Sequence, residues 1–320
     1  MRRTLRQHDD QLTAAGALKA FLPLLVIGST ACAGIRPVDD VIAGGDPAAA
    51  SAPASGEAPD PLAAPATLPD RDALRGYADE TLAAFDERCR GLLELSRAED
   101  ASYEALMEAS RALVFNADLR IQADVCFRFD PSDLPEPASL IAAEDDVTSE
   151  LKAQVRSLAI SSRDLADRAL ALREDDAAAR LFSTLGNGLF LWSLGPLQAL
   201  ANGAATTLPR RIGSLAEDHP GFEGASPLRL KGRFQSRAPW PYKDKPGGVE
   251  TLTRAVELAP IPLNLLFLGD AQWIAGDTAA AEDAWERATR ARADAETRDA
   301  APLLREIARL RLLAAATKGR

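Results

Sequence analysis

Between Leu263 and Arg292 runs LNLLFLGDAQWIAGDTAAAEDAWERATRAR, a helical stretch with Gly269, Gly276, Ala281 and Ala288 where bulky core residues would be expected. Two helices cross closely only if the residues at the crossing carry little more than a methyl group, with large side chains filling the flanks. Here Leu265, Leu268 and Trp285 are the flanking residues. Gly276 and Asp277 read as the end of one helix and the start of the next. The stretch therefore predicts a tight helical hairpin, with helices over about residues 261–275 and 278–293.

The spacing recurs. Leu228 and Gly232 are followed by Gly248, Leu252, Ala255 and Pro260, with four extra residues in the loop RAPWPYKDKPGG. A looser copy has Phe182, Leu185 and Gly186 and ends at Pro220. This pattern resembles the tetratricopeptide repeat, a helix hairpin of about 34 residues. Composition points the same way: 47% of residues are apolar but only 5% aromatic, and Ala and Leu dominate. Leu74, Tyr77, Ala78, Leu82, Phe85 and Cys89 form one helical stripe, and Tyr103, Leu106, Met107, Ser110, Leu113 and Val114 a second. Pro131, Pro135 and Pro137 mark residues 130–144 as a loop; helices follow over 149–172 and from about 176. No segment reads as a strand. The expected fold is all-α, stacked tetratricopeptide-like hairpins forming a bundle or solenoid over residues 70–317.

The N-terminus reads as a targeting segment. Arg2, Arg3, Arg6 and Lys19 precede the apolar run AFLPLLVI over residues 20–27. Eight residues are too few to span a bilayer, which takes about 20, and suit a signal-peptide core. STAC over 29–32 resembles a bacterial lipobox with Cys32 as the lipidated residue, although Ser29 stands where that pattern prefers Leu. Cleavage after Ala33 at an A-x-A site is the alternative. Residues 1–32 are thus expected to be a signal peptide of the lipoprotein type. Ala33 after the cysteine resembles lipoproteins sent on to the outer membrane. Residues 33–69 hold 11 Ala, 7 Pro and 4 Gly with no aromatic residue, a composition expected to form a disordered tether. The location implied is the periplasmic side of the outer membrane, lipid-anchored, or else the soluble periplasm. In an oxidising compartment Cys89 and Cys126 are a candidate disulfide; two buried, unpaired thiols are the alternative.

A narrower resemblance lies in DHPGFEGASPLRLKGRFQSRAPWPYKDKPGGVETLTRAVELAP, residues 218–260. The Pro-Gly-Phe turn at 220–222, PLRLKGR at 227–233 and RAVELAP at 254–260, with ASYEALMEASRAL at 101–113, resemble the TatT lipoproteins, helical partners of some periplasmic TRAP transport systems. Gln272 departs from the general repeat, which prefers an aromatic there. The resemblance implies a non-enzymatic accessory component that binds a partner protein, such as a periplasmic substrate-binding protein, or a small apolar or carboxylate ligand. Homo-oligomers are also within the family's habit. The alternative is a general scaffold for envelope protein assembly with no small-molecule ligand.

The search for chemistry returns little. His219 is the one histidine after the leader, and its place at a helix end before Pro220 reads as a cap. One histidine and few cysteines offer no zinc cluster, and Gly186-Asn187-Gly188 lacks the rest of a nucleotide-binding loop. No cofactor is expected. A net charge of −10 argues against nucleic acid and anionic membrane surfaces. The binding candidates are Trp240 and Tyr242 on the inserted loop, Arg229 and Arg233 one turn apart, and Asn187 with Trp192 on an apolar helix. Each has a structural reading too. Trp240 would fold back over the insertion, the arginines would pair with acids, and Asn187 would link packed helices.

Overall fold

A computed structural model describes residues 70–194, 196–238, 242–295 and 297–318. The leader, the Ala/Pro/Gly segment, Cys32 and Trp240 lie outside the described residues. The described residues are all-α, with no strand. The helices are α1 (Arg71–Ser96), α2 (Tyr103–Arg128), α3 (Pro137–Ala142), α4 (Ser149–Leu172), α5 (Ala177–Ser193), α6 (Pro196–Ala201), α7 (Thr207–Asp218), α8 (Phe222–Arg237), α9 (Lys245–Leu258), α10 (Pro262–Ala275), α11 (Thr278–Arg290) and α12 (Ala301–Lys318). A 3-10 turn, Ala143–Asp145, follows α3, so the proline-bounded loop carries short helical structure of its own. No helix among the described residues is long and apolar enough to cross a membrane.

Helix starts follow the local chemistry. Asp70, Ser102, Thr148, Asp176, Asp244 and Asp277 each accept a backbone N–H from the first turn of α1, α2, α4, α5, α9 and α11. Gly276 ends α10 in the left-handed region at φ 96°, as a glycine at that position favours. His219 caps α7, its N–H donating to the Leu215 carbonyl.

The small residues sit at the crossings. A Cβ on Gly269 would lie 2.5 Å from Trp285 Cδ1 and 3.0 Å from the Ala281 carbonyl, on the partner helix of its hairpin. One on Gly232 would lie 2.6 Å from Leu252 Cγ and 3.0 Å from the Gly248 carbonyl, while Gly248 faces the Gly232 carbonyl at 3.0 Å. The hairpins α10–α11 and α8–α9 are thus held at backbone contact. Gly186 differs from expectation. Its missing Cβ would strike Arg163 N at 2.8 Å and the Ala159 carbonyl at 3.1 Å, both on the preceding helix α4. It therefore belongs to the second helix of an α4–α5 hairpin, not to the first helix of an α5–α7 pair.

Helices pack mainly on their sequence neighbours, and α12 returns to touch α1, α2 and α3. The stack is closed by its last helix. One continuous core runs through it, from Leu74 and Phe85 through Phe115, Phe182 and Trp192 to Phe267, Trp285 and Ile307.

Candidate functional site

The segment that carries the narrower resemblance proves to be built for architecture. Glu223, Gly224 and Ala225 at the start of α8 are left-handed, with φ of 44°, 59° and 61°. Regular helix resumes only beyond them, where Pro227 suits a first turn. A left-handed turn leaves carbonyls that no helix ladder satisfies. Arg229 Nη1 donates to the Gly224 carbonyl at 3.0 Å and to Asn264 Oδ1 at 2.7 Å, and Arg229 Nη2 donates to Ser226 Oγ. Asn264 donates to the Gly224 carbonyl at 3.0 Å and the Ala259 carbonyl at 2.7 Å. Glu223 pairs with Arg111 of α2, whose guanidinium also lies 5.2 Å from the Phe182 ring centroid. Burial nevertheless pushes the Glu223 carboxyl above its ordinary range.

One turn on, Arg233 pairs with an acid, as its structural reading expected, within a buried charge cluster whose other members the sequence did not single out. Its Nη2 donates to Glu144 Oε2, and its guanidinium stacks 3.8 Å from the Phe267 ring centroid. Arg237 Nη1 donates to Glu144 at 2.8 Å and Nη2 to Asp145 at 2.7 Å. Arg311 of α12 holds Asp270 of α10 through Nε at 2.9 Å and Nη2 at 3.1 Å, and Trp285 Nε1 donates to the same carboxylate at 3.1 Å. Three guanidiniums thus meet three carboxylates where the 3-10 turn, α8, α10 and α12 converge. Burial pushes the Asp145 carboxyl up to about 6, exceeding the opposing pull of Arg237. For Arg237 burial acts to lower the value, and Asp145 with Glu144 outweighs it and raises it. The only signal in the sequence was AED in a proline-bounded loop.

Asn187, Trp192, Arg229 and Arg233 therefore do not share a cavity. Arg229 and Arg233 are each 2% exposed and bound to protein partners. Trp192 is core, and Asn187 is half-buried on α5. At the centre, where Gln122, Leu266, Phe267 and Leu304 meet, the void is only about 10 Å³, room for about one water. Tyr242 is half-buried: its hydroxyl donates to the Ala205 carbonyl and its ring meets Phe234 edge-on, centroids 5.9 Å apart. It fastens the inserted loop to the turn after α6.

Cys89 and Cys126 are both buried and free, so the disulfide expectation is corrected in favour of two unpaired thiols. Cys126 lies within α2. Cys89 contacts Asn116 Nδ2 at 3.7 Å. Asn116 and Cys126 stand about ten residues apart on one helix, about 15 Å of rise, well beyond the reach of a disulfide. Burial raises both thiols, Cys126 to about 12.

Openings at the surface of the described residues include a groove and a cleft. A groove of about 410 Å³ lies between α1 and the segment before α12, lined by Tyr77, Thr81, Phe85, Arg88 and Asp299 among others. The Tyr77 hydroxyl donates to the Asp299 carbonyl at 3.0 Å, which leaves its ring at the surface. A cleft of about 330 Å³ lies between α5 and α7, walled by Arg180, Arg210 and Arg211. Arg180 Nη2 donates to Asp218 Oδ2 at 2.8 Å and Ser214 Oγ at 2.6 Å. Hydrogen bonds from Arg180 and from the Ser214 hydroxyl hold the Asp218 carboxyl below its ordinary range. No group of three His, Cys, Asp or Glu among the described residues could hold a metal ion. No protein-family model matches the chain, and no curated protein matches it in sequence.

Proposed function

We propose that the chain is a non-enzymatic envelope protein, an accessory component of a periplasmic TRAP-type transport system that engages a partner protein. The observation that carries this reading is the groove beside α1. It offers Tyr77 and Arg88, side chains of the kinds that anchor protein interfaces, above the buried Phe85 and on a surface made by the first and last parts of the helical stack. The TatT-like segments at 101–113 and 218–260 supply the transport context. Residues 1–32 export the chain, and Cys32 anchors it through lipid with residues 33–69 as the leash. Metabolic labelling with a fatty-acid analogue tests the anchor: a Cys32→Ser chain that labels as well as the parent refutes it.

A scaffold for envelope protein assembly is the second reading. It is favoured by the small void, about 10 Å³, where Gln122, Leu266, Phe267 and Leu304 meet among the described residues. A pull-down from detergent-solubilised envelopes separates the two. Transport predicts recovery of a periplasmic substrate-binding protein by the full chain and its loss with Tyr77→Ala. Recovery of assembly proteins alone supports the scaffold. A Tyr77→Ala chain that retains every partner removes the groove from either reading.

A further inference from the structure

We infer that the groove beside α1 takes a basic segment of the partner protein, with a lysine or arginine side chain entering between Glu80 and Asp299. The inference rests on reading the groove as a partner-binding surface and adds the chemistry of what binds there. The hydrogen bonding of the lining residues is the first reason. The Tyr77 hydroxyl gives its hydrogen to the Asp299 carbonyl at 3.0 Å, and the Thr81 hydroxyl gives its own to the Tyr77 carbonyl at 2.7 Å. Arg88, the guanidinium that lines the groove, donates Nη2 to Glu108 Oε1 at 3.3 Å and so already has a counter-charge. The two acids have none. Neither the Glu80 nor the Asp299 carboxylate makes a hydrogen bond or an ion pair among the described residues. The residues one turn away from Glu80 are Gly76, Tyr77, Ala83 and Ala84, so no cation on its own helix answers it. Two like charges at one groove repel each other and favour a cation between them.

The field at the groove has the matching sign. Burial pushes the Tyr77 hydroxyl above its ordinary value, the Asp299 charge adds to the rise, and the Arg298 charge opposes it less strongly. Arg298, exposed beside Asp299, therefore does not cancel the acid there. The apolar part of the groove suits the stem of a long basic side chain. Tyr77 is 36% exposed and its hydroxyl is tied to Asp299, so a cation meets an aromatic ring that is already held in place. Ala84 is exposed and small, and Phe85 closes the floor. The methylene groups of lysine or arginine cover such a surface while the charged head stays with the acids. The volume, about 410 Å³, lies within the range of about 300–1,000 Å³ that accepts ligand-sized groups. The groove is also open to solvent along three turns of α1, from Tyr77 to Arg88. An open groove leaves a free small cation largely in water, whereas a partner segment laid over it excludes that water.

Fluorescence anisotropy of the purified full chain with a labelled peptide, Ala-Leu-Lys-Leu-Ala, tests it, with norleucine in place of lysine as the comparison probe. The lysine peptide is expected to bind with a Kd on the order of 1 mM or tighter, and to weaken as salt is added. A Glu80→Gln/Asp299→Asn chain is expected to bind it about tenfold more weakly. Glu250→Gln/Glu257→Gln removes the same charge from exposed positions of α9, outside the groove, and is expected to leave binding unchanged. Glu80→Gln alone, at an exposed position, is expected to weaken binding about threefold with the parent melting curve, which keeps the test decisive if the Asp299 change lowers stability. Absence of lysine-peptide binding, equal binding of the norleucine peptide, equal loss in the two double variants, or unaltered titrations of both groove variants each overturns the inference. A chain that binds the lysine peptide through Glu80 and Asp299 but recovers no substrate-binding protein from envelopes keeps this inference and loses the transport reading. A chain that loses that protein with Tyr77→Ala but recovers it undiminished with Glu80→Gln/Asp299→Asn keeps the transport reading and loses this inference.

Discussion

Arg229 and Asn264, 35 residues apart, donate to the same backbone oxygen, the Gly224 carbonyl, while Arg229 also donates to the Asn264 side chain at 2.7 Å. Neither residue faces a ligand. Together they complete the hydrogen bonding of the left-handed turn that starts α8, and so tie that hairpin to α10. Asn264→Ala is therefore expected to destabilise the chain by about 2–4 kcal/mol, since it leaves buried carbonyls and a guanidinium short of partners. Asn187→Ala, at a half-buried helical position, is expected to cost under about 1 kcal/mol. Urea unfolding of both variants checks the contrast.

Glycine substitutions should separate crossing positions from merely helical ones. Gly269→Ala forces a methyl group into the Trp285 ring and is expected to cost about 2–3 kcal/mol. Gly276→Ala meets nothing within 4 Å but must adopt φ 96°, and should cost about 1 kcal/mol. Gly91→Ala, in open space within α1, should be neutral or stabilising by up to about 1 kcal/mol. Thermal melts rank the three.

The buried cluster gives the chain a pH dependence of unusual sign. The folded-state value of Asp145, about 6, lies above its ordinary 3.8. Between those values the folded chain binds more protons than the unfolded one, so this group favours folding at the acid side and its contribution is lost as pH rises to about 6. Asp145→Asn should remove that slope, so the difference in urea midpoint between variant and parent should change between about pH 4 and 6 and level off above. A constant difference across that range contradicts the assignment.

Glu144 is the shared acceptor of Arg233 and Arg237, so Glu144→Gln leaves the buried Arg233 without its counter-charge and Arg237 with Asp145 alone. A loss of about 3–5 kcal/mol is expected, read as a lower urea midpoint at pH 7.

The free thiols should be silent in the folded chain. Cys89 and Cys126 are buried, with their thiols raised by burial, and should react with an alkylating reagent only after denaturation. Under oxidising, non-reducing electrophoresis, mobility should match the reduced chain. Fast alkylation of either residue under native conditions would contradict the burial.

Much of this architecture can be read along the chain. The crossings at Gly232, Gly248 and Gly269, the caps at Asp70, Asp176 and Asp277, and the turn at Gly276 follow from the size and hydrogen bonding of residues close in sequence. Such features act within one helix or one hairpin, where a few φ/ψ values and one side-chain volume set the outcome. The fate of the polar residues is another matter. Arg233 finds Glu144 across 89 residues, and Arg311 finds Asp270 across 41. An arginine on an amphipathic helix looks the same in sequence whether it meets water, a carboxylate or an open cleft. Only the packing of distant helices turned Arg229 and Arg233 inward to partners, parted Cys89 from Cys126, and left Arg210 and Arg211 facing a cavity. Charge pairing and empty volume depend on where helices lie relative to one another, and sequence periodicity carries no such coordinate.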